Sequence, residues 1–87
     1  MADTERCWLV ERTYTDRDLV VVVYATPDGK RMRRKELAAS ILERTTVTAA
    51  IEAEPDDLEP VTDPETRERY AMEAERVREA HDPDAPV

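Results

Sequence analysis

One stretch of the chain is strongly apolar, and it has the length and composition of a β-strand. Leu19–Ala25 contains four consecutive valines, whose β-branched side chains disfavour a helix and suit a pleated surface. Successive residues of a strand point to opposite faces, so both faces of this strand would be apolar. The pattern therefore predicts a central strand that is covered on both sides.

The segments on either side of Leu19–Ala25 predict two antiparallel neighbours. Cys7–Tyr14 has the composition of a first strand, and the polar link Thr15–Asp18 has the length of a hairpin connection. The second connection, Thr26–Lys30, reads Thr-Pro-Asp-Gly-Lys, in which proline presets the turn and glycine takes the left-handed position. It predicts a tight hairpin, with residues 30 to about 33 pairing back as a short third strand.

Beyond the turn the apolar spacing becomes helical and then alternates again. Between Arg34 and Arg44, Leu37 and Ile41 are four residues apart, as are Ala38 and Leu42, which predicts a helix. Residues 46–53 alternate and predict a fourth strand, although their alanines fit a helix equally well.

The last third of the chain predicts a loop, a helix and a tail. Residues 54–62 contain two prolines and are expected to form an acidic loop pinned to the core by Leu58 and Val61. Asp63 as cap and Pro64 at the first helical position predict a final helix that runs to about residue 80 or 81. Residues 1–6 and 82–87 are expected to be frayed ends. The order β-β-β-α-β-α predicts one α+β domain over residues 1–87, an antiparallel sheet with two helices packed on one face.

The composition favours a soluble cytoplasmic protein. Cys7 is the only cysteine, so no disulfide forms within the chain, and a lone cysteine argues for a reducing compartment. The longest apolar run is far shorter than the roughly 20 residues that cross a bilayer, so no membrane association is expected. A net charge of −8 with two lysines favours a halophilic cytoplasm over a specialised acidic surface such as a nucleic-acid mimic.

Few residues in the sequence could support catalysis or bind a metal. Cys7 and His81 are the only Cys and His, at opposite ends of the chain, and their spacing supports no catalytic triad. Asp56, Asp57 and Glu59 lack the glycine turn and the later glutamate of a calcium loop. The sequence therefore predicts no enzyme activity, no metal site and no cofactor.

The basic segment Lys30–Lys35 stands out because it leads into the start of the predicted helix. At a helix start the helix dipole disfavours cations. Five of the segment's six residues are positively charged, and the five are Lys30, Arg31, Arg33, Arg34 and Lys35. They could contact nucleic-acid phosphates, or they could neutralise carboxylates of residues 51–87, which carry thirteen acids and four bases.

A second candidate surface is apolar. Two helices on one face would leave the other face of the central strand open, with an aromatic residue of the first strand beside it. The residues of this predicted patch are Trp8, Val20, Val22 and Tyr24. Exposed apolar patches usually mark interfaces, so a homodimer through this face or through an edge strand is expected, unless the loop 54–62 wraps over it.

Three segments give the chain a resemblance to a known group of proteins. They are Trp8–Arg12, Tyr24–Gly29, and the ending that runs from Arg67–Tyr70 to His81–Asp84. In these segments and in composition the chain resembles the small acidic proteins of unknown function that are common in halophilic archaea. The resemblance implies no activity. The leading hypothesis is therefore a non-catalytic protein-interaction domain, a homodimer or a binder of another protein, and the alternative is a nucleic-acid-associated accessory protein.

Overall fold

The computed structural model describes residues 3–15, 18–42 and 46–87, and these form a curled antiparallel sheet and two helices. The elements in chain order are β1 (Glu5–Tyr14), β2 (Leu19–Ala25), β3 (Arg31–Ala38), α1 (Ala39–Leu42), β4 (Ala50–Ala53), a 3-10 turn (Pro55–Asp57), β5 (Glu59–Pro60) and α2 (Pro64–Ala80). The strand order is β4-β1-β2-β3-β5, and every pairing is antiparallel. The predicted α+β fold is confirmed.

The valine-rich strand lies at the centre of the sheet, as predicted. β2 pairs with β1 on one side and with β3 on the other. Val20 and Val22 are fully buried on one face, and Val23 and Ala25 are buried on the other. We call these the inner face and the helix face.

α2 covers the helix face. Asp63 caps the helix by accepting a hydrogen bond from the Thr66 amide at 3.0 Å, and Pro64 follows at the first position, so the predicted helix start is confirmed. Tyr70 packs with Val23, and Ala74 packs with Trp8. α1 follows β3 directly, and its packing on the same face as α2 stays a prediction.

The inner face is covered because the sheet is curled. The outer strands β4 and β5 are joined by only five residues, 54–58. In a flat sheet these strands would lie about 19 Å apart. The five-residue connection includes a 3-10 turn and spans about 17 Å at most. It is therefore too short for a flat sheet, and the sheet must curl to bring β4 and β5 closer together. Leu58 in this connection packs against the inner-face core with Leu37 and Ile51, and Val61 is buried, so the pinning of the acidic loop is confirmed.

A β-bulge at Val10 changes which residues of β1 share a face. Leu9 lies opposite Tyr24, but Glu11 lies opposite Val23, so Val10 is an extra residue. Simple alternation from Trp8 would place Arg12 on the helix face. The bulge instead places Arg12 on the inner face.

The predicted helix between Arg34 and Arg44 is wrong for most of its length. Residues 34–38 belong to β3, which pairs with the whole of β2, and of the described residues in this segment only Ala39–Leu42 are helical. A central strand needs backbone partners on both sides, and this requirement outweighs the helical spacing of Leu37 and Ile41. Residues 43–45, where the helix would end, lie outside the described residues.

The predicted fourth strand is shorter than expected, and described residues of both predicted frayed ends contact residues 47–53 through their backbones. β4 covers Ala50–Ala53 only. Residues 83–87 run beside residues 47–50: Ala49 N donates to Ala85 O, and Ala50 N donates to Pro83 O, both at 2.9 Å. At the other end, Glu5 and Arg6 lie in β1 opposite β4. Both ends supply backbone partners that β4 would otherwise lack.

Candidate interaction surface

The apolar patch predicted from the sequence is not a surface. Trp8, Val20, Val22 and Tyr24 are each at most 4% exposed. Trp8 lies on the helix face, whereas the other three lie on the inner face, so they do not form one patch. This prediction is wrong because it assumed an uncurled sheet with an open face.

The basic segment alternates between the two faces of β3, because most of it is a strand. Arg31, Arg33 and Lys35 lie on the inner face, and Arg34 lies on the helix face. Lys35 of β3 and Arg12 of β1 both lie opposite Val22 of β2. The two cations therefore flank a buried valine.

Three of the five cations pair with carboxylates of the same chain. Arg31 pairs with Glu5, Arg33 with Asp57 at 2.9 Å, and Arg34 with Glu36 at 2.8 Å. Lys30 and Lys35 form no ion pair within residues 3–15, 18–42 and 46–87. Of these carboxylates only Asp57 comes from the acidic second half, so Arg33–Asp57 is the one pair of the basic segment with that half among the described residues.

The outer edge of β1 is a surface that the sequence analysis did not locate. Pairing of β1 with β4 ends at Trp8, and one further bond runs from Leu9 N to Ala49 O at 2.9 Å. On its other side β1 stays paired with β2 as far as Tyr14. No described residue pairs with the outer edge of the last part of β1.

The backbone groups on this edge follow from the hydrogen-bond pattern. Thr15 N donates to Leu19 O at 2.8 Å, so Thr15 faces β2. Hydrogen-bonding direction alternates along an antiparallel strand, so Arg12 and Tyr14 direct their N–H and C=O groups away from β2. Residues 12–15 are all exposed, and Tyr14 is 68% exposed. We call residues 12–15 the open edge.

A groove of about 300 Å³ lies beside the open edge, between β1 and α2. Its apolar lining comes from Leu9, Val10, Val77 and Val87. Nη2 of Arg12 donates to the Val87 main-chain oxygen at 2.7 Å, so the C-terminal segment forms one wall of the groove.

Cys7 and His81 are not brought together as a nucleophile and a base. Cys7 is fully buried on the inner face, whereas His81 is exposed at the end of α2, across the sheet. Burial, and secondarily the nearby Glu5 carboxylate, raises the pKa of Cys7 to about 11. The sulfur is therefore a protonated thiol at neutral pH, the unreactive form.

Helix α2 is bound to β1 through a polar contact as well as apolar ones. The Tyr70 hydroxyl donates to Glu11 at 3.3 Å, and Arg69 lies over the Tyr70 ring with its guanidinium 5.4 Å from the ring centre. Burial, followed by the Glu11 carboxylate, raises the pKa of Tyr70. These contacts hold the helix at the start of the open edge.

Comparison with known proteins places the chain in a family. The family of unknown function DUF7967 matches residues 1–87. The chain belongs to DUF7967. No curated protein and no solved structure matches it significantly.

DUF7967 membership assigns no activity. The described residues hold no cluster of three or more His, Cys, Asp or Glu side chains that could bind a metal ion. Among them, no helix is long and apolar enough to cross a bilayer.

The sequence contains only part of the signal that locates the open edge. Residues 13–15 read Thr-Tyr-Thr, which is typical of a strand, yet they extend past the segment that the short fourth strand can cover. The difference in length between β1 and β4 was needed to recognise it.

Proposed function

We propose that this DUF7967 protein is a non-catalytic interaction domain that forms a homodimer through the open edge of β1. The observation that carries the proposal is the difference in length between β1 and its outer neighbour β4. β1 has ten residues and β4 has four, and within the part of the chain that the structure describes residues 12–15 are paired on one side only. A row of unpaired N–H and C=O groups is a template for a strand of another chain.

The other partly unpaired strand, β3, is protected against such pairing. Among the strands that the structure describes, only β5 lies beside the outer edge of β3; it covers Arg31 and Met32, and the positions that follow include Arg33, Arg34 and Lys35. Charged side chains on an edge strand oppose pairing with another edge. The open edge of β1 carries one charge, that of Arg12, which supports β1 as the interface.

A second copy fits the open edge because the edge is self-complementary. Arg12 and Tyr14 both present outward backbone groups, and their side chains are a cation and an aromatic ring, which attract each other. The same pair of residues can therefore meet twice in an antiparallel dimer. The buried, protonated Cys7 supports the non-catalytic part of the proposal.

The mass of the full chain in solution tests the proposal. Light scattering in molar KCl at tens of micromolar protein is expected to give twice the chain mass of 10.0 kDa. Tyr14→Pro removes an outward N–H that no described residue of the same chain accepts, and it is expected to give a folded monomer. Tyr14→Val keeps that N–H and is expected to remain a dimer. A monomeric wild type, or a dimeric Tyr14→Pro protein with unchanged circular dichroism, would overturn the proposal.

We also propose a halophilic cytoplasm as the working environment. The support is the net charge of −8 and the exposed carboxylates of α2. These carboxylates repel one another, and salt screens the repulsion. The midpoint of thermal unfolding is expected to rise steadily between 0.2 and 2 M KCl. A midpoint that does not change over this range would contradict this environment.

Nucleic-acid binding is the second candidate function, and one observation favours it. Lys35 and Arg12 flank Val22 on the inner face, Arg33 lies on that face, and Lys35 has no carboxylate partner within the described residues. Binding of a labelled oligonucleotide would weaken steeply with added salt and would weaken further in Lys35→Gln, with Arg78→Gln as the control. Absence of binding at the lowest salt that keeps the protein folded would remove this candidate.

A further inference from the structure

We propose that the two copies pair antiparallel along β1 with Thr13 of one copy directly opposite Thr13 of the other. This register rests on the proposed function and adds which residues meet at the interface. Four backbone hydrogen bonds join the copies in this arrangement, two for each Arg12–Tyr14 pair.

The symmetry of a dimer limits the registers that are possible. In an antiparallel pair, side chains of residues directly opposite each other lie on the same face. When both strands are β1, the two-fold axis must therefore pass through a residue position rather than between two positions. The candidate positions at the C-terminal end of β1 are residues 11 to 14.

Like charges disfavour two of these four registers. An axis at Glu11 places the two Glu11 carboxylates opposite each other, and an axis at Arg12 does the same with two guanidinium groups. Like charges that are directly opposite destabilise a strand pair.

An axis at Thr13 brings only compatible side chains together. Thr13 faces Thr13, a pair that is favourable across strands. Arg12 faces Tyr14 on both sides of the axis, and the guanidinium can lie over the ring. Glu11 faces Thr15, which carries no charge.

The backbone geometry agrees with an axis at Thr13. Arg12 and Tyr14 point their N–H and C=O groups outward and lie opposite each other in this register, so each pair exchanges two hydrogen bonds. An axis at Tyr14 forms only one such pair within β1, because Arg12 would then lie opposite position 16, beyond the end of the strand.

Engineered cysteines test the register directly. At Thr13 the two strands would hold their Cα atoms about 4.5 Å apart, within the range that a disulfide spans. Thr13→Cys is therefore expected to cross-link most of the protein on mild oxidation with copper–phenanthroline. Thr15→Cys is the matched control, because Thr15 would face Glu11 of the other copy, and it is expected to stay largely uncross-linked. The native Cys7 is fully buried and does not compete.

The outcomes separate this register from dimerisation itself. Light scattering of the reduced variants reports whether a dimer forms, and non-reducing electrophoresis reports the register. A dimer in which Tyr14→Cys or Thr15→Cys cross-links in preference to Thr13→Cys would overturn the register and leave the homodimer intact. A monomeric wild type would overturn both.

Discussion

Gly29 lies directly against the backbone of α2 at Arg67. A side chain at this position would press on the Arg67 carbonyl and would place its Cβ 2.8 Å from the Ala71 nitrogen. Gly29 also has a φ of +72°, which L side chains rarely adopt. The turn between β2 and β3 is therefore part of the contact that seats the helix on the sheet.

We expect Gly29→Ala to be among the most destabilising single substitutions in this chain. Left-handed backbone costs about 1–2 kcal/mol for a residue with a Cβ. Forcing a methyl group into a packed contact adds about 1–3 kcal/mol. Urea unfolding followed by circular dichroism measures the loss. Pro27→Ala, at an exposed position of the same turn, is the control and is expected to cost less than about 1 kcal/mol.

The hydroxyl of Thr26 is a second support of the same turn. Thr26 is buried, and its Oγ1 donates to the Asp28 carboxylate at 2.6 Å. This bond, and secondarily the Lys30 amide, lowers the pKa of Asp28. Thr26→Val keeps the shape but loses the hydrogen bond, and we expect a loss of about 1–3 kcal/mol in the free energy of unfolding. Thr26→Ser retains the hydroxyl, so an equally unstable Thr26→Ser protein would contradict the role given to it.

Stability is expected to fall at alkaline pH because of Cys7. The folded protein raises the pKa of this thiol from 9.0 to about 11, so it disfavours the thiolate relative to the unfolded chain. The stabilisation from the neutral thiol is complete below pH 9 and is lost as the pH rises through 11. A shift of this size corresponds to about 2–3 kcal/mol.

Urea unfolding of the wild type and of Cys7→Ala between pH 8 and pH 11 measures this loss. The difference in stability between the two proteins is expected to shrink as the pH rises. Burial raises the pKa of Tyr24 and of Tyr70 as well, so both proteins retain a common downward slope above pH 10. Parallel curves for the two proteins would show that Cys7 contributes no such term.

Hydrogen exchange distinguishes the open edge from residues 47–50, which are paired with the C-terminal residues 83–87. The amides of Ala49 and Ala50 donate to residues 85 and 83, and Val87 N donates to Val47 O at 2.9 Å, so we expect all three to exchange slowly. The Tyr14 amide points outward, so it is expected to exchange quickly in a monomer and slowly in the dimer. Thr13→Lys, which places like charges at the proposed axis, provides the monomer for this comparison.

Elements with strong local signals could be predicted from the sequence. Leu19–Ala25 forms a strand with the predicted bounds, because a run of β-branched residues has few alternatives. The turn at Gly29 and the start of α2 at Asp63 and Pro64 also lie where the sequence indicates. Each of these features depends on residues that are close together in the sequence, within a single turn or a single strand.

The candidate surface could not be predicted in the same way. The burial of Val22 and Tyr24 depends on the curl of the sheet, which follows from how few residues join β4 to β5. The open edge depends on where β4 begins, because Ala50, its first residue, pairs with Trp8, which is far away in the sequence. Neither relationship leaves a periodic trace in the sequence.

The sequence by itself determined the central strand, the glycine turn, the capped final helix and the α+β class. Tertiary structure decided the length of β3, the face on which Arg12 lies, the position of residues 83–87 beside residues 47–50 and the burial of the apolar patch. The physical reason is that backbone pairing and burial are satisfied between distant segments. A weak local preference, such as the helical spacing of Leu37 and Ile41, is outweighed when a neighbouring strand requires a partner.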